Sequence, residues 1–428
     1  MTRSASPAGI RAPRPRSFGG FVAERAAAGQ LVVQPRMGFS DPALMRRGLE
    51  RTKYAAATTV GTLTLDSYTR LGEHEAARRA VAEGTPLNGY PIVTQDRRIT
   101  RAVLAGVSDD GFPVQVRHGS PRPQPIIRTM TQLGLDATEG GPVSYCLPYG
   151  RTPLRASIES WREGCELLAG HAAPGRAAHL ESFGGCMLGQ MCPPGLLVAL
   201  SVLETLFFTR HGLTSVSLSY AQQTDRALDE EAIRALRRLA AELLPPGTEW
   251  HVVLYTYMGL FPSSARGAHA LLEASAELAV ATGTERLIVK TATEAHRIPR
   301  IEDNVHALEL AAAAATAADR GPGGLAGEDG AVYAEARALI EAVLELDDDL
   351  GSALHTAFRR GYLDVPYCLH PDNAGRSRSY LDDAGRLRWA SVGRMPIAAR
   401  PAPQTHTRMT PDRLLHALTT VARTYDHH

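Results

Sequence analysis

Three arginines, a histidine, a glutamate, two tyrosines and a lysine–glutamate pair stand just beyond apolar runs of this 428-residue chain, in "VVQPRMG", "LDSYTR", "VQVRHG", "TEGGPVSYCLPY" and "RLIVKTATEAHRIP". They are Arg36, Arg70, Arg117, His118, Glu139, Tyr145, Tyr149, Lys290 and Glu294. Arginine suits a carboxylate because its planar fork offers two parallel hydrogen bonds, each worth about 1.5–3 kcal/mol when charged. Such a cluster is costly unless something anionic fills it, since an unpaired charge in a shielded site loses its hydration. A ligand with two carboxylates and one ammonium would satisfy three arginines and one glutamate. That describes an acidic amino acid. The lysine raises its own question: Lys53 and Lys290 are the only two in the chain, and Lys290 follows directly on Leu287, Ile288 and Val289, which reads as a buried strand.

Taken singly, each residue has a plainer reading. An arginine at a strand end is more often solvated or capping a helix. Glu139 in "TEGG" could cap a turn, Tyr145 and Tyr149 at spacing four could be core, and His118 could simply orient a neighbour. Lys290 and Glu294 could form a local ion pair worth a few tenths of a kcal/mol. The chemistry therefore requires a fold that gathers these positions on one face.

Alternating apolar and helical segments supply one. Eight runs read as strands: "LVVQP" (31–35), "TTVGTLTL" (58–65), "GYPIVT" (89–94), "PVQVRHG" (113–119), "GPVSY" (141–145), "SVSLSY" (215–220), "WHVVLYTY" (250–257) and "RLIVK" (286–290). Between them lie helical patterns: "DPALMRRGLERTK" opens on an aspartate cap, "GEHEAARRAVAEG" closes on a glycine, and "LDEEAIRALRRLAAELLPPG" places acids early and arginines later. This pattern predicts a (β/α)8 TIM barrel, whose chemistry lies at the carboxyl ends of the strands. No Gly-x-Gly-x-x-Gly follows the first strand, which disfavours a dinucleotide-binding sheet. The chain exceeds a single core of roughly 250 to 300 residues. We therefore expect an irregular or disordered extension over 1–24, the barrel with its site over 25–320, a Gly-rich linker over 321–330, and an appended C-terminal α+β domain over 331–428 with a hairpin at "DDAG".

A net charge of +1 and a pI near 7.8 give no basic face for a phosphate backbone, so nucleic acid is not an expected partner. "LLVALSVLETLFF" is broken by Glu204 and reads as a core helix, not a membrane span. The five cysteines read as reduced thiols of a cytoplasmic protein, and "CMLGQMC" lacks the spacing of a zinc site, so no metal ligand is expected.

Together "VVQPRMG", "LDSYTR", "LNGYPIV", "RHGSP", "EGGPVSYCLPY", "YMGLFP" and "VKTATEAHRIP" resemble the large (epsilon) subunit of glutamate mutase, also called methylaspartate mutase. The motifs fall in the same order from about residue 30 to about residue 400, including "NAGRSRSYLDDAGRLRW" near the C-terminal end. The resemblance implies a (β/α)8 barrel that works with adenosylcobalamin and interconverts L-glutamate and (2S,3S)-3-methylaspartate by a radical carbon-skeleton rearrangement. It implies Arg36, Arg70 and Arg117 on the substrate carboxylates, His118 beside them, and Glu139, Tyr145 and Tyr149 completing the pocket, with Glu139 facing the ammonium. Glu139, Arg117 and His118 are the expected catalytic groups. Gly38, Asn88, Pro148, Phe261, Lys290, Glu294 and Ile298 match positions lining the cofactor, with Lys290 and Glu294 on the ribose hydroxyls of the adenosyl group. That would give the lone strand-end lysine a purpose, with Glu294 as its pair.

The resemblance also implies partners. The signature Asp-x-His-x-x-Gly, whose histidine would ligate cobalt, is absent, and "DNVHAL" has the wrong spacing. A separate small cobalamin-binding mutase subunit is expected, with a homodimer of this chain inside a heterotetramer. The region before "VVQPRMG" is shorter than in the family, Cys146 stands where an asparagine is familiar, and Pro142 replaces a glycine. Three rivals stand beside this reading: a mutase for a different acidic amino acid, a non-catalytic scaffold, and a barrel lyase or aldolase using Lys290 as a Schiff-base nucleophile free of Glu294.

Overall fold

The computed structural model describes residues 17–148, 150–171, 176–185, 187, 191–319, 330–398 and 409–427. Eight parallel strands are β1 (Val32–Gln34), β2 (Gly61–Thr64), β3 (Val114–Arg117), β4 (Ala137–Glu139), β5 (His179–Glu181), β6 (Ser215–Ala221), β7 (Glu249–Tyr255) and β8 (Arg286–Ile288). They pair in the order β1-β8-β7-β6-β5-β4-β3-β2, and the bridge Val33–Thr59 brings β1 against the lead-in to β2. With helices packed around it, this is the expected (β/α)8 barrel. Local chemistry sets the helix starts: Asp41 accepts from the Leu44 N–H at 2.6 Å to open Pro42–Lys53, and Asp225 accepts from Leu228 at 2.9 Å to open Arg226–Leu243. "LLVALSVLETLFF" is the buried body of helix Pro194–Arg210.

Two expected strands are turns instead. In "GYPIVT" Pro91 has no N–H to give a ladder; Ile92 and Thr94 fold back onto the carbonyls of Tyr90 and Pro91, leaving one isolated bridge between Tyr90 and Leu65. In "GPVSY" the chain has already turned at Gly140, whose φ of 140° takes it into glycine territory and whose Cβ would stand 2.3 Å from Trp161. The strands that take their places, β4 and β5, are three residues each and show no apolar run.

Their polarity has a cause inside the barrel. Gln34 donates to Thr62 and Gln115 at 2.9 and 2.8 Å, and Arg286 donates to His251 and Ser217, each at 3.2 Å, as well as to Glu181. The interior is a satisfied hydrogen-bond network, which apolar periodicity cannot detect. At its lower end a helix over Phe18–Ala27, capped by Ser17, closes the barrel. Residues 18–24 therefore belong to ordered structure, contrary to the expected irregular extension. Phe18 lies 4.9 Å from the Arg286 guanidinium and 5.1 Å from the His179 ring, and Phe21 and Val22 pack with Val32, Val60 and Ala137.

Residues 321–329 of the expected linker lie outside the described residues. Beyond them, helix Ala331–Leu344 packs on Pro194–Arg210 and Arg226–Leu243, and Leu350–Arg360 packs on Leu154–Gly170. The predicted hairpin forms as β9 (Arg378–Leu381) and β10 (Leu387–Ser391). A last helix, Pro411–Asp426, lies along Ala265–Ala281, where the Asp426 carboxylate accepts from Ser263 and Ser264 through both backbone and hydroxyl.

Candidate active site

Arg117, Glu139, Glu181 and Tyr255 are the last residues of β3, β4, β5 and β7, so all four lie at the carboxyl end of the barrel. All are buried, at 4%, 2%, 0% and 0% exposure. Arg117 Nε donates to Glu139 Oε2 at 2.7 Å and its Nη2 to the Tyr255 hydroxyl at 3.2 Å. Glu139 also receives the Tyr145 hydroxyl on Oε1 and lies 2.9 Å from Tyr255 through Oε2. The Arg117 Nη1 group donates to none of the described residues.

His118 lies beside this cluster, its ring stacked 5.8 Å from Trp161 and edge-on to Tyr145 at 5.2 Å. Its Nδ1 accepts from the Ser120 N–H at 3.0 Å, which assigns the proton to Nε2, and Nε2 has no partner among the described residues. Burial, reinforced by the Arg70 charge, pushes the imidazole down to about 3, so it is neutral and acts as a donor. Arg70, on the short helix Ser67–Leu71, runs across Gly119, where a Cβ would meet its Cδ at 2.6 Å. The sequence thus placed Arg70, Arg117, His118, Glu139 and Tyr145 in one neighbourhood. Tyr149 lies outside the described residues.

A second group joins the ends of β1 and β8. Glu294 sits in a 3-10 turn, Ala292–Ala295, with its Oε1 on the Thr291 N–H at 3.1 Å and its Oε2 on Arg36 Nη1 at 2.8 Å. The expected pairing of Lys290 with Glu294 is therefore replaced: Glu294 serves Arg36. Its two oxygens are taken by the N–H of its own turn and by the Arg36 guanidinium. Lys290 is buried, with its Nζ 4.4 Å from the Phe261 ring centre and a single hydrogen bond, 3.4 Å long, to the Gly259 carbonyl. Three N–H groups with one long bond leave room for an acceptor. A cavity of about 770 Å³ opens there, lined by Phe261, Lys290, Glu294 and the final helix. Of the other positions singled out, Phe261 shares this cavity, Pro148 is half-buried, and Gly38 is required by the fold because a Cβ would stand 2.1 Å from the Thr64 carbonyl. Asn88 is exposed and accepts from Ser67 at 3.0 Å, and Ile298 is exposed at 65%. Neither hydrogen-bonds to Lys290 or Glu294 or lines the cavity beside them.

Burial pulls the Lys290 ammonium down to about 8, with Glu294 opposing and Arg36 adding to the fall. The unfolded chain holds that proton to about pH 10.5 and the folded one to about 8, so stability rises with pH between them. Lys290→Met should remove this rise. Melts are expected to show the variant more stable than the parent by about 1–3 kcal/mol at pH 7, with the gap closing near pH 10.5. An equal gap at both pH values would count against a desolvated ammonium.

Sequence reasoning missed four residues of this region. Glu181 and Arg286 form an ion pair at 0% exposure, and Tyr255 links it to Glu139. Glu204, noted earlier as the acid breaking an apolar helix, accepts the Val143 and Ser144 N–H groups at 2.8 Å each and so fixes the turn carrying Tyr145. Burial raises its carboxyl to about 7. An acid inside a largely apolar, buried helix was the available signal; its target was not. Two of the three arginines expected to await an anion already have carboxylate partners, Arg36 with Glu294 and Arg117 with Glu139.

Residues 12–413 match the model of a family described as "Methylaspartate mutase E chain (MutE)". The glutamate mutase epsilon subunit of Halobacterium salinarum is 30% identical over 344 residues, covering 78% of this chain and 71% of that protein. That of Haloarcula marismortui is 30% identical over 380 residues, 85% of this chain and 76% of the relative. That of Yersinia enterocolitica is 29% identical over 409 residues, with 90% and 82% covered.

Proposed function

The chain belongs to the methylaspartate mutase E chain family, and on that premise we propose that it is the catalytic large subunit of an adenosylcobalamin-dependent glutamate mutase. It interconverts L-glutamate and (2S,3S)-3-methylaspartate together with a separate small cobalamin-binding subunit. One observation carries the substrate class. Two donors without acceptors among the described residues, Arg117 Nη1 and His118 Nε2, belong to residues flanking the acceptor Glu139. Donors for a carboxylate beside an acceptor for an ammonium suit the head of an α-amino acid, and Arg70 offers a cation for the distal carboxylate.

In this reading Arg117 grips one carboxylate and stays fixed by Glu139 and Tyr255, His118 donates a neutral N–H, and Glu139 receives the ammonium, with Tyr145 and Tyr149 completing the pocket. Holding both ends of the substrate keeps its fragments from separating. Bound adenosylcobalamin would supply the carbon radical by homolysis of its cobalt–carbon bond. The chain's part is placement: the under-bonded Lys290, the Glu294 carboxylate and Phe261 border a cavity that fits a nucleoside, with Gly38, Asn88, Pro148 and Ile298 as further contacts. Arg36 would hold Glu294 in place and reach the substrate. The barrel, with the helix from Phe18 that closes it, carries an appended unit over 331–428, and the chain works as a homodimer within a heterotetramer in a cytoplasmic setting. Among the described residues no helix is long and apolar enough to cross a membrane.

Lys290 is buried and its nearest carboxylate is engaged by Arg36, the two conditions set for Schiff-base chemistry. Borohydride trapping with a carbonyl substrate separates that reading from the mutase. The mutase reading is tested by anaerobic assay for 3-methylaspartate. Chain, adenosylcobalamin and L-glutamate are expected to give none until the small subunit is added. Turnover by the chain alone, or none by the assembled complex, would contradict it.

A further inference from the structure

Glu139 is crowded with donors before any ligand arrives. Its Oε2 faces Arg117 Nε at 2.7 Å and the Tyr255 hydroxyl at 2.9 Å, while its Oε1 takes the Tyr145 hydroxyl. A carboxylate offers about four acceptor positions, so an incoming ammonium must compete for what is left. The donor in dispute is Tyr255. Its hydroxyl is within hydrogen-bond reach of two carboxylates at once, Glu139 and Glu181, and Arg117 Nη2 donates to it at 3.2 Å. Burial holds the phenol well above its ordinary range, so it keeps its one proton, and one proton serves one carboxylate. Glu181 has a fixed posture. Its Oε2 receives Arg286 Nη2 and, at 3.1 Å, Gln115 Nε2, which leaves Oε1 pointing at Tyr255. All of these groups are buried, so protein partners rather than bulk water decide the outcome.

We propose that Glu181 and Tyr255 are positioning residues for substrate selection: by drawing the Tyr255 hydroxyl proton to itself, Glu181 keeps an acceptor position on Glu139 Oε2 open for the substrate ammonium. Arg286 holds Glu181 in the posture this needs. The inference rests on the acidic amino-acid reading of the site and adds to it a device that favours a ligand with an amine over the same dicarboxylate without one.

The test compares L-glutamate with glutarate, which lacks only the amino group, by calorimetric binding to the assembled holoenzyme. In Glu181→Gln the amide oxygen must face Arg286 and Gln115, both donors, which turns the amide NH₂ toward Tyr255 and sends the phenol proton to Glu139. The preference for L-glutamate over glutarate is then expected to fall roughly tenfold or more, the scale of one charged hydrogen bond. Adding Tyr255→Phe to that variant removes the competing donor and is expected to restore the preference. A role confined to packing predicts equal losses for both ligands and no recovery in the double variant; either result overturns the proposal. Should Glu181→Gln fail to fold, Tyr255→Phe alone decides: the preference is expected to hold or rise, and a fall overturns the proposal. A parent complex that binds glutamate no better than glutarate would remove the acidic amino-acid reading itself, a failure visible before any variant is made.

Discussion

Arg117→Lys is expected to fold and to lose roughly 10²–10³ in kcat/KM for L-glutamate, the cost of about two charged hydrogen bonds. The guanidinium does three things at once. Nε binds Glu139 at 2.7 Å, Nη2 reaches Tyr255 at 3.2 Å, and Nη1 is left for a ligand. An ammonium carries the same charge on a single point and cannot span these directions. The lysine would neutralise Glu139, which keeps the fold, but it would not also grip a carboxylate in register. Thermal melts beside steady-state kinetics of the reconstituted complex check this. A variant with parental kcat/KM would show that Arg117 serves structure alone.

Arg286→Met should do the opposite: it should damage the fold rather than selectively weaken binding. Arg286 is fully buried and gives its hydrogen bonds to Glu181, His251, Ser217, Gln34 and Gln115 from strands around the barrel. Removing it strands the Glu181 carboxylate in the interior, a loss of about 3–5 kcal/mol for one broken buried pair. Glu181→Gln on top of Arg286→Met removes the stranded charge and is expected to recover part of that loss, a coupling that a double-mutant cycle measures directly. Strictly additive losses in chemical denaturation would contradict the pairing.

What the sequence conveyed and what it hid follow from the same interior. Arg36, Arg117 and Lys290 were legible because each comes at or just after the end of an apolar strand, and long strands such as β6 and β7 carry enough Val, Leu and Tyr to be recognised. β4 and β5 were not, because "ATE" and "HLE" spend their few residues on the polar interior. "GYPIVT" and "GPVSY" misled for a converse reason: apolar residues there pack as turns, one around a proline and the other under the Glu204 carboxylate. Glu181 and Arg286 are 105 positions apart, and nothing local in either segment announces the other. The Lys290–Glu294 spacing suggested a pair, but a turn that caps itself with Glu294 gave the carboxylate to Arg36 across 258 positions. Residue type at strand ends is thus readable, whereas partner choice depends on the closed barrel.

The most direct measurement is a crystal structure of the assembled complex with L-glutamate. One carboxylate is expected on Arg117 and His118, the other on Arg70, and the ammonium within about 3 Å of a Glu139 oxygen. An amino acid bound with its ammonium away from Glu139, or lodged outside the barrel mouth with the Arg117 and His118 donors unused, would contradict the account.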